Sequence, residues 1–152
     1  MSDATRLARV PWCRVASRSI YANPWMRVRE DNVLLPDGRT TIYGVVECAG
    51  AVGVPPFLDV DTVVLVGQYR YIAGAFLREM PTGGMHPGEI PEAAARRELG
   101  EEAGDEAERV VRLGAFDTSK SLLDEKAILY LAEGLRLWQG RRRGKPLGRG
   151  GP

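Results

Sequence analysis

The sequence predicts an α+β fold, a mixed sheet with a helix packed on it, preceded by a small N-terminal antiparallel β-sheet. Three observations carry that prediction. Strand-like alternating segments broken by turn signals fill residues 12–48. A run of strong helix formers, EAAARRELGEEA, lies between Pro91 and Gly104. Further apolar, strand-like segments flank that run on both sides.

Taken in order, residues 12–20 and 25–34 alternate as strands, with Ala22-Asn23-Pro24 as the turn between them. Pro36-Asp37-Gly38 is a strong turn signal and leads into a third strand, TTIYGVVEC. Val52 to Leu58 is an apolar segment interrupted by Pro55-Pro56, and Thr62 to Tyr69 reads as a buried strand. A short strand around Leu77–Met80 leads into a loop holding Gly83 and Gly84, and then into the helix. Val110–Phe116 and Lys126–Ala132 complete the strands. The closing LRLWQGRRRGKPLGRGGP is rich in Gly, Arg and Pro and predicts little ordered structure, with Trp138 as its residue suited to packing. The chain therefore divides into N-terminal strands over 1–50, a core domain over 51–135 and an Arg/Gly-rich tail over 136–152.

Composition bounds the function classes. At 44% hydrophobic and 27% charged, the 152 residues suit a globular domain with a sizeable core. There is no apolar run of the roughly 18 residues a membrane helix requires. MSDATRLARVPW lacks the apolar centre of a signal peptide, and Cys13 and Cys48 are too few for a disulfide framework, so a cytoplasmic location is expected. His86 is the lone histidine and cannot by itself make a zinc site. Residues 141–152 hold five basic and no acidic residues, while the remainder holds 16 basic and 20 acidic. That acidic body argues against a nucleic-acid surface, and RRRGK reads either as an anion-binding patch or as a solvated tail.

The most informative stretch is GGMHPGEIPEAAARRELGEEAGD, residues 83–105. Pro91 suits a first helical turn and Gly104 the position past the end. With about 100° per residue, Glu98, Glu101 and Glu102 share an arc of roughly 100°. Ala95, Leu99 and Ala103 form an apolar stripe elsewhere on the helix, suited to packing on a sheet. Arg97 stands four residues before Glu101 and can brace its carboxylate. Clustered carboxylates repel unless a positive charge sits among them, and oxygen donors favour hard cations, Mg²⁺ or Mn²⁺. Glycine at 83 lets backbone approach such a ligand closely, so its carbonyl is a further candidate donor. The bland alternative is a solvated helix face with i,i+4 charge pairs. Seven specified residues at about 7% usage each recur by chance roughly once in 10⁸ starts, which disfavours it.

On these residues the chain resembles the Nudix hydrolase family, whose box reads G-x5-E-x7-R-E-U-x-E-E-x-G-U, with U aliphatic. Gly83, Glu89, Arg97, Glu98, Leu99, Glu101, Glu102 and Gly104 match, and Asp105 departs from the final U. The flank VVLVGQYRYIAGAFLREMPTG resembles the ADP-ribose pyrophosphatase branch through Gln68, Tyr69, Arg70, Tyr71, Glu79, Pro81 and Gly83. The resemblance spans roughly residues 12–135. It implies a Nudix α/β/α sandwich, although the sequence after Glu133 does not look like the branch's C-terminal helix. It implies that Glu98, Glu101 and Glu102 hold Mg²⁺, that Arg97 orients them and that Glu89 supports them. It also implies that Glu125, in an Asp-Glu pair closing a loop without the branch's usual prolines, is a candidate catalytic base.

The implied reaction is hydrolysis of a nucleoside diphosphate linked to another moiety, ADP-ribose giving AMP and ribose 5-phosphate. Arg70 and Gln68 are candidate substrate contacts, or else strand-end structural residues. Trp25 is a candidate for stacking on a base, or else packs in the core or a dimer interface. The N-terminal strands of the branch commonly help form a homodimer. The alternatives are a sugar-nucleotide or dinucleotide pyrophosphatase, a catalytically impaired Nudix-type binding domain, and a truncated product.

Overall fold

The computed structural model describes residues 11–137. The strands are β1 Cys13–Ala22, β2 Met26–Leu34, β3 Thr40–Cys48, β4 Ala51–Gly53, β5 Val66–Arg70, β6 Ala75–Glu79, β7 Thr82–Gly84, β8 Asp105–Asp117, β9 Leu123–Asp124 and β10 Lys126–Leu137, with helix α1 over Pro91–Glu98. Among the described residues two compact units form, 11–48 with 119–124, and 49–118 with 125–137.

The first unit is a four-stranded sheet in the order β1-β2-β3-β9. Its hairpins follow the turn signals. Asn23 Oδ1 accepts from the backbone N–H groups of Trp25 and Met26 at the first, and Asp37 Oδ1 accepts from Arg39 N–H at the second. β2 and β3 pair without interruption from Met26↔Cys48 to Leu34↔Thr40. The segment 119–124 belongs to this unit, because Leu123 pairs parallel with Val46 of β3.

The second unit holds a mixed four-stranded sheet in the order β7-β4-β10-β8. β4 lies at its centre, parallel to β10 through Val52↔Ile128 and antiparallel to β7 through Val52↔Gly83. It is short because Pro55 and Pro56 follow, and proline has no N–H for a ladder. α1 packs on this sheet. Ala94, Ala95 and Leu99 are fully buried against Val52, Val54, Tyr130 and Ala132, with Ala103 packed at the edge. The predicted apolar stripe thus forms one side of the core.

Several elements differ from the sequence reading. Thr62–Tyr69 is not a buried strand. Only Val66–Arg70 is strand, in a separate two-stranded ribbon with β6, and Val63 and Leu65 are exposed. A two-stranded ribbon leaves one face open, and Tyr69 and Phe76 meet edge-to-face on it with ring centres 5.4 Å apart. Gly83 and Gly84 lie in β7 rather than in a loop. β8 and β10 are longer than predicted, pairing from Lys126↔Asp117 to Leu137↔Asp105. Residues 134–137 are therefore ordered as strand, whereas little structure was expected from 136 onward. Each strand supplies the ladder that the other extends along. Asp105 takes the place of the aliphatic residue by opening β8, half-buried.

Trp138 and RRRGK lie outside the described residues, and the second helical layer of the expected sandwich is not among them. No helix of the described residues is long and apolar enough to cross a membrane.

Candidate functional site

The predicted α-helix changes form within its glutamate cluster. α1 begins with Pro91 at its first position and carries Glu92 in the first turn and Arg96 and Arg97 in the last, the polarity that suits the helix dipole. Past Glu98 the chain continues as a π-helical turn over Leu99–Ala103. Gly104 then ends it at φ 75°, a left-handed conformation that favours glycine, and its N–H donates to Gly100 O. A π turn takes more residues per turn than an α-helix, so Glu101 and Glu102 are rotated from Glu98 by less per residue than α-helical counting assumes. Glu98 is buried, Glu102 is half-buried and Glu101 is exposed.

Arg97 organises the cluster with all five of its N–H groups. Nε and one Nη2 proton form a fork on Glu89, each at 2.9 Å. The second Nη2 proton goes to Gly84 O at 3.0 Å. Nη1 donates to Glu98 Oε1 at 2.6 Å and to Glu101 Oε2 at 3.2 Å. Sequence spacing anticipates the Glu101 contact, but the stronger ties are to Glu89 and Glu98. Glu89 also accepts the backbone N–H of His86 at 2.9 Å. The Arg97 fork, aided by that N–H, holds the Glu89 carboxyl down at about 2. Glu89 and Glu98 in turn push the Arg97 guanidinium above its ordinary value.

Glu98 and Glu102 meet the strand β7 from below. A Cβ added to Gly83 would stand 2.1 Å from the Glu98 carboxylate, so only glycine lets backbone and carboxylate lie together here. One residue earlier, the Thr82 N–H donates to Glu102 Oε2 at 2.9 Å. Burial raises the Glu102 carboxyl above the usual carboxylate value; the Thr82 N–H and Arg70 oppose this, and negative Glu98 and Glu79 add to it.

Arg70 joins the site from β5. Its Nε lies 2.9 Å from both carboxylate oxygens of Glu79, and Nη2 bonds Glu79 Oε2. Sequence reasoning placed Glu79 in a motif but gave it no role; the signal was a charge of opposite sign at the end of the partner strand. Gln68 shares the half-buried face of β5 with Arg70. Glu125 is half-buried just before β10, and its carbonyl accepts from Thr118 N–H at 3.2 Å. Its side chain joins none of the hydrogen bonds that tie the helix glutamates together. Trp25 lies in the first unit, exposed on the β1–β2 turn, and is not a core residue.

The donor set suits a hard divalent cation. Glu98 and Glu102 are oxygen donors, Glu98 lies against the Gly83 backbone, and Glu102 carries charge that Arg97 does not neutralise. Among the described residues no three acidic, His or Cys side chains converge as a metal cage. Arg97 instead draws Glu98 and Glu101 to itself, while Glu102 is turned to Thr82. A site completed by water and substrate phosphate needs few protein ligands.

A helix set on a mixed sheet, with its glutamates braced by one arginine against a glycine strand, is the arrangement of a Nudix domain. The chain belongs to the NUDIX domain family, whose model matches residues 49–146. Residues 12–46 match a second family, the nucleoside diphosphate sugar hydrolase N-terminal domain. The chain is 32% identical over 128 residues to an ADP-ribose pyrophosphatase of Bacillus subtilis, covering 84% of this chain and 69% of that protein. It is 36% identical over 123 residues to an ADP-ribose pyrophosphatase of Mycobacterium tuberculosis, covering 80% and 59%. A methanol dehydrogenase activator of Bacillus methanolicus is 36% identical over 121 residues, covering 80% and 65%. The chain thus spans about 59–69% of the length of these relatives. The crystal structure of an ADP compounds hydrolase shares the fold, with a TM-score of 0.74 at 22% identity over 83% of this chain and 69% of that one.

Gly83→Ala forces backbone and a buried carboxylate apart and should destabilise the fold by about 1–3 kcal/mol in urea denaturation. Glu89 has its carboxyl lowered from the usual 4.5 to about 2, so its stabilisation is complete above 4.5 and disappears as pH falls toward 2. Melts across that window should show a steeper loss for the wild type than for Glu89→Gln, and equal slopes would contradict the Arg97 fork.

Proposed function

We propose that the chain is a Mg²⁺-dependent hydrolase of nucleoside diphosphate derivatives, with ADP-ribose, cleaved to AMP and ribose 5-phosphate, as the first substrate to test. The observation that carries this reading is the glutamate cluster held by Arg97 against β7. Its similarity to two ADP-ribose pyrophosphatases supports the substrate class.

Glu98, Glu102 and Glu101, with the Gly83 carbonyl, would hold the cation. A Mg²⁺ or Mn²⁺ ion held there would supply charge to neutralise the diphosphate and to acidify an attacking water. Arg97 keeps the glutamate side chains from splaying apart, and Glu89 fixes Arg97. Water adds across the phosphorus anhydride, one phosphate leaving with each half. The water's proton passes to Glu125 or to one of the helix glutamates. Arg70 contacts a phosphate or the terminal ribose through its open edge, and Gln68 hydrogen-bonds the substrate.

A panel of ADP-ribose, ADP-glucose, GDP-mannose and dinucleotides, with released monophosphate quantified, tests the reading. ADP-ribose turnover should require Mg²⁺, stop with EDTA and fall by about a hundredfold or more in Glu102→Gln. Unchanged activity in that variant sinks the metal assignment. A better rate on a sugar nucleotide or dinucleotide replaces the substrate. Inactivity of a cooperatively melting wild type favours a binding domain, and the absence of a cooperative melt favours a truncated product.

The first unit supports a homodimer. β1 is an edge strand exposed along its whole length, and Val15, Ile20 and Tyr21 on it are more than half exposed. Light scattering should give twice the chain mass, reverting toward the monomer in Ile20→Lys; a monomeric wild type removes this part of the reading.

A further inference from the structure

One face of the first sheet carries a row of alternating charges. Arg27 and Arg29 of β2 both donate to Glu47 of β3, and Arg29 Nη1 donates onward to Asp31 Oδ2. The row stops at Asp31. That residue is only 5% exposed, yet its second oxygen, Oδ1, has no hydrogen-bond partner among the described residues. A carboxylate oxygen left bare in this way has lost water and gained nothing in return.

Asp31 lines a cavity of about 400 Å³ that lies wholly within this unit. Its other walls are Trp12, Arg14, Val33 and Tyr43. The register brings them together. Tyr43 pairs directly with Asp31, Arg14 pairs with Val33, and Val33 stands two residues from Asp31 on the same face of β2. Trp12 lies edge-on to Tyr43 with ring centres 6.1 Å apart, so two rings and Val33 supply apolar surface. Arg14 is exposed and makes no hydrogen bond or ion pair among the described residues. The cavity thus offers one bare acceptor, one unpaired cation and apolar walls.

These features select a ligand by charge. A simple cation would meet Arg14, and a simple anion would leave Asp31 Oδ1 still bare. A molecule with both an N–H donor and a negative oxygen answers both groups. The rings and Val33 call for an apolar remainder. The volume falls near the small end of ligand cavities, which run from roughly 300 to 1,000 Å³.

We propose that this cavity binds a small zwitterion with an apolar side group, the chemistry of an apolar α-amino acid. Its ammonium donates to Asp31 Oδ1, its carboxylate takes Arg14, and its side group lies against Trp12, Val33 and Tyr43. Such binding is independent of the proposed hydrolysis and of the metal.

Isothermal titration calorimetry on the whole chain, without metal or nucleotide, tests this with L-phenylalanine, phenethylamine, hydrocinnamate and glycine as probes. L-Phenylalanine should bind at millimolar concentration or below. Phenethylamine lacks the carboxylate and hydrocinnamate the ammonium; each should bind about tenfold more weakly, the scale of one charged hydrogen bond. Glycine, with no apolar group, should give no measurable heat. Arg14→Gln should cost L-phenylalanine about tenfold and leave phenethylamine unweakened. Asp31→Asn, which keeps an oxygen for Arg29, should cost L-phenylalanine about tenfold and leave hydrocinnamate unweakened. A variant that merely loosened the sheet would weaken every probe alike. Melting temperatures check folding, and Arg14→Gln decides the question if Asp31→Asn does not fold.

Absence of heat with L-phenylalanine, equal binding of all four probes, or variants that do not discriminate between the one-ended probes overturns the inference. So does a fall in mass by light scattering in Asp31→Asn when the wild type binds no probe, which assigns the cavity to a second copy of the chain.

Discussion

The Arg97 guanidinium is the constraint on which the candidate site depends. A helix that carries acidic side chains at 98, 101 and 102, facing a loop carboxylate at 89, has surplus negative charge in a partly buried space. One arginine answers it because its five donors lie in a rigid plane and can serve several acceptors at once. Three carboxylates and a strand carbonyl converge on it. A lysine would supply the charge but not the fork on Glu89, so the loop 85–90 would lose its tie to the helix.

The second organising element is the backbone from Glu79 to His86. It passes over the helix residue by residue, touching Arg70, Glu102, Glu98, Arg97 and Glu89 in turn. Two of those contacts are made by main-chain N–H groups and one by a main-chain carbonyl. Main-chain contacts survive most substitutions, which lets side chains nearby vary while the glutamates keep their places. β7 in turn is held by β4, the central strand whose Val52 lies in the core under α1. The chemistry is thus tied directly to the best-packed part of the second unit.

What was legible in the sequence was local. The three N-terminal strands and their turns follow from alternation and from Asn23 and Pro36-Asp37-Gly38, since each pairing closes over few residues. The helix, its apolar stripe and its acidic cluster follow from composition and spacing. What was not legible was relational. Nothing near Leu123 announces that it pairs with Val46, far away along the chain. The full lengths of β8 and β10 come from their mutual pairing rather than from either segment alone. Arg70 and Glu79 each read as strand ends, and their union depends on a ribbon geometry that the sequence does not spell out. The π turn was hidden for another reason: Gly100 weakens a helix, but weakness does not say in which direction the helix will relax.

That π turn makes the helix sensitive to phase and not only to charge. Counting along the sequence, Glu98, Glu101 and Glu102 seem fixed by their order. In space, the position of the last two relative to the first depends on how much rotation the intervening turn absorbs. Tightening Leu99–Ala103 to an ordinary α-helical turn would rotate Glu101 and Glu102 about the helix axis relative to Glu98, with no change in composition or net charge. Two chains with the same box of letters can therefore differ in whether their carboxylates face a common point. The identity of the ligands is written in the glutamates, but their aim is written in the winding of the backbone between them.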